Sequence, residues 1–194
     1  MKKILVINGH PNKESYCAAL TRAYANGAIK SGHETVILNL HELQFSLNFN
    51  GSYTAQKMEG LEKDIIFAQE KIAWAQHIVI IHPVWWGSVP ALLKGFFDRT
   101  LLPGFAFKYK KDSAFWDKLL TGKTSSIIYT SDTPPFFYRL FYRAPSVNML
   151  RDRVLGFCGI KNISVTGIGP IRKSSQTFRE NWLLKIEKLG RSAK

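Results

Sequence analysis

The sequence predicts an α/β fold built on a doubly wound parallel sheet of five strands. Two observations predict it. Short, continuous apolar runs recur along the chain, as is typical of strands buried on both faces of a parallel sheet. Segments with helical periodicity alternate with those runs. The chain has 194 residues and no Pro/Ser/Gly-rich linker, so we expect residues 1–194 to form a single domain.

The first half of the chain supplies two of the strands. The run Ile4–Ile7 predicts the first, and the turn residues Asn8-Gly9-His10-Pro11 end it. A helix follows, with its buried stripe at Leu20, Tyr24 and Ala28, and Gly32 stops it. The second strand is predicted over Thr35–Leu40. Residues 41–60 are a polar connection, and a helix from about Leu61 to Ala75 comes next.

The remaining strands follow the same alternation. Ile78–His82 is the third strand, and after it a loop leads to a helix starting at Pro90, where the missing N–H costs nothing. Residues 105–109 predict a loop or short hairpin. The fourth and fifth strands are predicted over Ser126–Thr130 and Ile163–Ile168. A last helix has Thr177 and Glu180 as a capping box and its stripe at Phe178, Trp182, Ile186 and Leu189. Five strands in this alternation indicate a flavodoxin-like topology.

The charge distribution is uneven. The net charge is +13, and residues 1–100 carry 10 Lys/Arg against 8 Asp/Glu, whereas residues 101–194 carry 17 against 6. Such an excess attracts polyanions or nucleotide phosphates. However, the basic residues are scattered and show no helix-turn-helix, RNP or zinc-finger pattern, so we predict no specific nucleic-acid partner.

Cysteine spacing and hydropathy indicate whether the chain binds a metal or spans a membrane. Cys17 and Cys158 form no CxxC or zinc-like spacing, which predicts ordinary thiols and no metal site. No apolar stretch approaches the length of a membrane span, and Lys2-Lys3 leads directly into a strand. We therefore expect a cytoplasmic protein.

Three loops are candidates for chemistry, because the loops after the first, third and fourth strands converge at one sheet edge. The first runs through Gly9–Leu20 and is neither a Walker loop nor GxGxxG. Ser15 stands just ahead of a helix, so its hydroxyl and the N–H groups of residues 15–18 can hold a phosphate, or Ser15 is merely the N-cap. His10 can reach the same phosphate or act as a structural donor.

The second loop carries Trp85 and Trp86. Paired tryptophans at a strand end predict a planar, apolar ligand, although they can equally be core or subunit contacts. A phosphate-binding loop beside a tryptophan loop favours a phosphorylated aromatic cofactor, and flavin mononucleotide (FMN) fits that description.

The chain resembles the flavodoxin-like NAD(P)H:quinone oxidoreductases, the DT-diaphorase group and its smaller bacterial relatives. The most specific element is the run Pro83-Val84-Trp85-Trp86-Gly87-Ser88-Val89-Pro90-Ala91-Leu92-Leu93-Lys94-Gly95. The resemblance covers most of the chain and also rests on His10-Pro11 with Ser15, Asp64-Ile65 with Gln69, Asp98-Arg99, Gly104–Tyr109 and Phe157-Cys158-Gly159.

The resemblance implies hydride transfer from NAD(P)H through a bound flavin, FMN or alternatively FAD, to a quinone-like acceptor, in a homodimer. His10, Ser15, Tyr16 and Cys17 would lie at the flavin phosphate or ribityl chain. Residues Pro83, Val84, Trp85, Trp86 and Gly87 would run along the isoalloxazine edge. Phe107 and Tyr109 would border the acceptor pocket, reaching it from a second subunit.

The chain departs from the family pattern at three places. The family often has Asn where Cys17 stands. Its loop after the fourth strand is usually Thr-Thr-Gly-Gly, whereas here it contains Thr130, Ser131 and Asp132. We assign these three residues to the cofactor as well; Asp132 either accepts from a flavin hydroxyl or caps the following turn. No His follows His82, so Tyr138 is the candidate catalytic residue, as a partial substitute for the Tyr and His that some relatives use on the reduced flavin.

Two other functions are compatible with these observations. A flavodoxin-type electron carrier is one, although such carriers are typically acidic. A regulatory flavoprotein subunit of a membrane transporter is the other, since Phe136–Arg143 combines five aromatic residues with two arginines and suits a partner or peripheral membrane surface. We expect this segment to fold over the acceptor side of the flavin or against a second subunit, with Arg139 and Arg143 meeting a nucleotide phosphate. Alternatively, it serves packing alone.

Overall fold

The computed structural model describes residues 1–48 and 60–193. Five parallel strands form the main sheet in the order β2-β1-β3-β6-β7, and β4 and β5 form a separate antiparallel hairpin. The predicted doubly wound sheet and its flavodoxin-like strand order are therefore confirmed. The strands are β1 (Lys3–Asn8), β2 (Glu34–Asn39), β3 (His77–Pro83), β4 (Phe107–Tyr109), β5 (Trp116–Lys118), β6 (Thr124–Thr130) and β7 (Lys161–Ile168).

The helices lie on both faces of the sheet. They are α1 (Tyr16–Lys30), α2 (Lys63–Trp74), α3 (Ala91–Thr100), α4 (Pro135–Leu140), α5 (Pro145–Asn148), α6 (Gly156–Cys158) and α7 (Gln176–Ser192). A π-helical stretch, Met149–Leu155, joins α5 to α6, and a 3₁₀ turn covers Leu40–Glu42. Helices α1 and α7 pack on one face. The other face is covered by α2, α3 and the helical run from 145 to 158.

Successive side chains of β1 point to opposite faces of the sheet and so enter two separate layers of the core. Ile4 and Val6 belong to the apolar cluster under α1 and α7, whereas Leu5 and Ile7 belong to the cluster under α2 and α3. All four are buried. Each such side chain contributes about 1.5–3 kcal/mol through its burial. The continuous apolar run therefore marks a central strand.

Glycines let α1 and α7 approach closely. A Cβ placed on Gly27 would lie 1.9 Å from the carbonyl oxygen of Glu187, and one on Gly190 would lie 2.1 Å from that of Tyr24. No side chain fits at either position. This contact fixes the C-terminal half of α1 against α7.

The structure differs from the predicted elements in several details. The last helix begins at Gln176, and its N-cap is Ser175, whose Oγ accepts from the Phe178 amide at 3.1 Å. The predicted capping box at Thr177 was wrong by two residues. Of the loop or short hairpin expected over 105–109, Phe107–Tyr109 forms β4 and pairs with β5, a strand that was not predicted. The helical run from 145 to 158 was not predicted. Of the connection expected over 41–60, residues 49–59 lie outside the described residues.

In the described part of the chain, no helix is both long and apolar enough to cross a membrane. The same residues contain no group of three or more His, Cys, Asp or Glu side chains that could hold a metal ion. Cys17 and Cys158 are both buried and free.

Candidate active site

A cleft of about 310 Å³ opens where β1, β3 and β6 end. It lies at the lower end of the range of about 300–1,000 Å³ that is usual for small-molecule sites. Ten of the twelve residues predicted to bind the cofactor line it: His10, Ser15, Tyr16, Cys17, Pro83, Val84, Trp85, Thr130, Ser131 and Asp132. The convergence follows from the strand order, because the carboxyl ends of β1, β3 and β6 are neighbours.

Ser15 caps the N-terminus of α1 in extended backbone, and its Oγ accepts from the Ala18 amide at 3.2 Å. The N–H groups of Tyr16 and Cys17 begin the helix, so they have no intrahelical acceptor. They lie at the positive end of the helix dipole. The two alternatives for Ser15 are therefore compatible: it is the N-cap, and it stands in a cleft with free donors suited to an anion.

His10 contributes a neutral donor at the same end of the cleft. Its Nδ1 accepts from the Asn12 amide at 2.9 Å, which leaves the proton on Nε2. Burial lowers the pKa of His10, which favours the neutral ring at pH 7. The ring also meets Trp85 edge to face, with centroids 5.3 Å apart.

The tryptophan loop is a tight turn from Trp85 to Ser88. The Trp85 and Ser88 backbones exchange hydrogen bonds of 3.0 and 2.8 Å, and Trp86 and Gly87 between them have φ of 50° and 73°. Positive φ at both central residues is the pattern of a type I′ turn. Consequently Trp85 lines the cleft, whereas the Trp86 side chain is fully exposed and, like Gly87, lies outside the lining. Of the two rings expected beside a ligand, only Trp85 lines the cleft.

The thiol of Cys17 and the hydroxyl of Thr130 lie side by side in the cleft. Cys17 Sγ lies 3.4 Å from Thr130 Oγ1, and burial raises the pKa of the thiol to about 12. The thiol is therefore unreactive at neutral pH. Tyr16 donates its hydroxyl to the Arg179 carbonyl at 2.8 Å, and burial raises its pKa to about 12. Both groups shape the cleft rather than ionise in it.

In the third loop, Asp132 lines the cleft and is also paired with Arg172. Its carboxylate accepts from the Arg172 backbone N–H at 2.8 Å and lies 3.1 Å from the Arg172 guanidinium. It thus ties β6 to the loop after β7. Ser131 donates its hydroxyl to the Thr133 carbonyl at 2.5 Å. Asn12 and Ile171 also line the cleft and were not predicted. Asn12 sits in the first loop and was open to prediction; no sequence signal indicated Ile171.

Phe107 and Tyr109 stand in a different groove. It measures about 230 Å³ and includes Arg153 and Phe157 among its lining residues. Phe107 is buried and Tyr109 is half exposed. This groove shares no lining residue with the cleft, so one chain does not bring the two predicted acceptor residues to the predicted cofactor residues.

Tyr138 is buried and does not line the cleft. Its hydroxyl lies 3.1 Å from the Gly87 carbonyl and 2.8 Å from Ser146 Oγ, and it accepts from the Ser146 amide at 3.1 Å. These partners satisfy the phenol. The structure gives the hydroxyl a positional role between the tryptophan turn and α5, and the predicted catalytic role gains no support.

The segment Phe136–Arg143 forms α4 and the turn after it. Arg139 and Arg143 both line a separate groove of about 850 Å³. Neither lines the cleft. The structure therefore places these two arginines apart from the cleft, and their contact with a nucleotide phosphate stays a prediction.

The donor set of the cleft suits a phosphorylated aromatic group. The free amides at the start of α1 and the Nε2–H of His10 are donors suited to an anion, and Trp85, 44% exposed, offers an aromatic surface. The free N–H groups of Trp86 and Gly87 sit at the tip of the neighbouring turn. No charged carboxylate other than Asp132, which Arg172 holds, lines the cleft in the described part of the chain.

Comparison with known proteins agrees with this architecture. A family model described as flavodoxin-like fold matches residues 2–188. The mouse ribosyldihydronicotinamide dehydrogenase [quinone] is 28% identical over 186 residues, which cover 82% of this chain and 78% of that protein. An uncharacterised NAD(P)H oxidoreductase of Haemophilus influenzae is 28% identical over 173 residues, covering 86% and 83%. A crystal structure from Streptococcus mutans superposes with a TM-score of 0.83 at 28% identity, covering 97% of this chain and 98% of that one.

Proposed function

The chain belongs to the family of flavodoxin-like fold proteins, and from that premise we propose that it is a flavin-dependent oxidoreductase that passes hydride from NAD(P)H to a quinone or similar aromatic acceptor. Two relatives support the reaction class, because one is named a quinone-dependent ribosyldihydronicotinamide dehydrogenase and the other an NAD(P)H oxidoreductase. FMN is the proposed cofactor, with FAD as the alternative.

One observation carries the proposal: an anion site and an exposed tryptophan share one cleft at the carboxyl edge of the sheet. The anion site is the start of α1 with Ser15 and His10, and the tryptophan is Trp85, whose ring touches that of His10. A phosphate alone would not require the indole, and an unphosphorylated aromatic would not require the helix N-terminus. A flavin mononucleotide uses both.

The residues have separable roles in this proposal. The amides of Tyr16 and Cys17, with Ser15 Oγ and His10 Nε2–H, would hold the phosphate. Trp85 and the backbone from Pro83 to Gly87 would border the ring and exclude water. When bound, the flavin supplies the hydride chemistry, and the protein supplies orientation and a dry surface.

The acceptor side requires a second copy of the chain. Phe107 and Tyr109 line no part of the cleft, so they can border the acceptor only from a partner subunit. We therefore keep the homodimer as part of the proposal. The basic charge of +13 argues against a flavodoxin-type electron carrier, since such carriers are typically acidic.

Flavin titration of two matched helix-cap variants tests the cofactor site. Ser15 and Ser175 cap α1 and α7 in the same way, but only Ser15 lines the cleft. Ser15→Asp places a negative charge among the phosphate donors and is expected to weaken FMN affinity more than tenfold. Ser15→Ala removes one neutral hydrogen bond, worth about two- to tenfold. Ser175→Asp should leave the affinity unchanged.

Quenching of tryptophan emission by added FMN gives the dissociation constants. Equal affinities of wild type and Ser15→Asp would move the phosphate away from α1. An equal loss in Ser15→Asp and Ser175→Asp would reveal a general effect of charge or folding and not a local site.

A further inference from the structure

A second large groove lies away from the cleft, between α4, the helical run from 145 to 158, and the edge strand β7. We call it the arginine groove, because three arginines line it. Its volume is about 850 Å³, within the range of small-molecule sites. Tyr129 and Val165 line it from the sheet, and Phe136, Leu140, Arg139 and Arg143 line it from α4 and the following turn. None of them lines the cleft, so the groove is independent of the proposed cofactor site.

The floor and one wall of the groove are apolar. Tyr129 of β6 and Val165 of β7 form the floor, and Val165 is 42% exposed although it belongs to the main sheet. Gly167 allows this arrangement: a Cβ there would lie 2.4 Å from the Tyr129 hydroxyl oxygen. Phe136 and Leu140, one helical turn apart on α4, are 65% and 70% exposed at the rim. This apolar surface needs an apolar occupant.

The three arginines of the groove differ in whether another side chain neutralises their charge. Arg151 pairs with Asp152 at 2.7 Å and bonds to Asn148. By contrast, the guanidinium groups of Arg139 and Arg143 make no ion pair or hydrogen bond with any residue in the ranges that the structure describes. Two free cations beside an apolar floor complement a molecule that is apolar along its body and anionic at its head.

One of these arginines, Arg143, lies in a strained turn of the backbone. Arg143 and Ala144 are consecutive residues with φ of 57° and 43°, in the left-handed region that side chains disfavour. The Ala144 amide donates to the Tyr138 carbonyl at 3.0 Å and so fixes this turn. Non-glycine residues persist in such backbone only where the surroundings impose it, and strain of this kind clusters at binding sites.

We propose that the arginine groove binds one anionic amphiphile, a medium- or long-chain carboxylate of the fatty-acid class. The alkyl chain lies over Tyr129 and Val165, and the carboxylate meets Arg139 and Arg143. A flat membrane surface reaches the rim residues, but it does not fill a recessed floor formed by the sheet itself.

Calorimetric titration of the full-length protein with monomeric decanoate tests the proposal, with decanol as the neutral counterpart. We expect one decanoate site and at least tenfold weaker binding of decanol, since the head group supplies the charge-assisted hydrogen bonds. The double variant Arg139→Ala, Arg143→Ala should bind decanoate at least tenfold more weakly. The control pair Arg22→Ala, Lys188→Ala removes the same charge from exposed positions outside the groove and should bind as wild type does.

A second pair of variants tests the floor. Val165→Asp places a carboxylate under the ligand and should abolish decanoate binding. Ile163→Asp is its control, because Ile163 lies on the same strand and is also 42% exposed but does not line the groove. Circular dichroism confirms that both variants are folded, and bound flavin is measured in parallel so that a failed cofactor site is not mistaken for a failed groove.

Three outcomes would overturn the proposal. Equal weakening in the arginine pair and in its control would show a diffuse charge effect. Unchanged binding by Val165→Asp would place decanoate elsewhere. Binding to vesicles of anionic phospholipid without binding of monomeric decanoate would make the segment a membrane surface and not a ligand site.

Discussion

Lowering the pH from 8 to 5 is expected to destabilise the protein by about 4 kcal/mol through two buried histidines of β3. His77 and His82 are both completely buried. His77 is bonded through its two ring nitrogens to Thr124 Oγ1 at 2.8 Å and Ser126 Oγ at 3.2 Å. His82 donates from Nδ1 to the Pro83 carbonyl at 2.9 Å. These contacts accommodate the neutral imidazole, and neither ring faces a carboxylate that would stabilise its charged form.

The magnitude follows from the pKa difference between the folded and unfolded chains. Burial lowers the pKa of each ring to about 4, against 6.5 when unfolded. The unfolded state therefore binds more protons between these values, so stability is complete above pH 6.5 and falls as the pH drops toward 4. At pH 5 the loss is about 2 kcal/mol for each histidine.

Urea unfolding at pH 8 and pH 5 measures this loss. His82→Leu removes one titrating group at similar volume, so the difference in unfolding free energy between the two pH values should shrink by about 2 kcal/mol relative to wild type. Ile81→Leu, a core substitution on the same strand that removes no titrating group, is the control and should keep the wild-type difference. If His82→Leu loses as much stability as wild type does, burial of His82 is not the source of the pH dependence.

Three further substitutions test the packing around the site. Gly190→Ala should destabilise the protein by about 1–3 kcal/mol in thermal or urea unfolding, because its Cβ would strike the Tyr24 carbonyl; a gain in stability, as at an exposed helical glycine, would contradict the close α1–α7 contact. Lys123→Met should cost about 1–2 kcal/mol, since Lys123 Nζ donates at 2.6 Å to two carbonyls at the end of α2, and an unchanged urea midpoint would deny it that capping role. Tyr138→Phe should cost about 1–3 kcal/mol by stranding the Ser146 amide and should lower kcat less than tenfold; a larger fall in kcat with intact stability would restore the catalytic role.

The sheet and most of the cleft were predictable because they depend on local pattern and on topology. Continuous apolar runs such as Ile4–Ile7 identify strands buried on both faces. Once the strand order is that of a flavodoxin-like sheet, the loops after β1, β3 and β6 must meet at one edge. For that reason the shared cleft of ten of the twelve predicted cofactor residues could be predicted from strand order, without any information on side-chain contacts.

The failures concern features that local pattern does not determine. The exposed direction of Trp86 depends on the type I′ turn, which its own positive φ creates. The run from 145 to 158 lost its helical signal because the π-helical stretch Met149–Leu155 departs from the period of 3.6 and carries charged residues at its centre. The last helix is capped by Ser175 and not by Thr177, because hydrogen bonds from Ser174 to the Ile171 carbonyl fix the preceding turn.

The most direct test of the proposed function is an anaerobic half-reaction experiment on the purified, FMN-reconstituted protein. NADH or NADPH is added first, and a benzoquinone is added after the visible flavin absorption has bleached. The account predicts that the pyridine nucleotide bleaches the flavin bands and that the quinone restores them in proportion to the flavin present. A protein that retains no FMN, or whose bleached flavin is not restored by the quinone in the absence of oxygen, would contradict it.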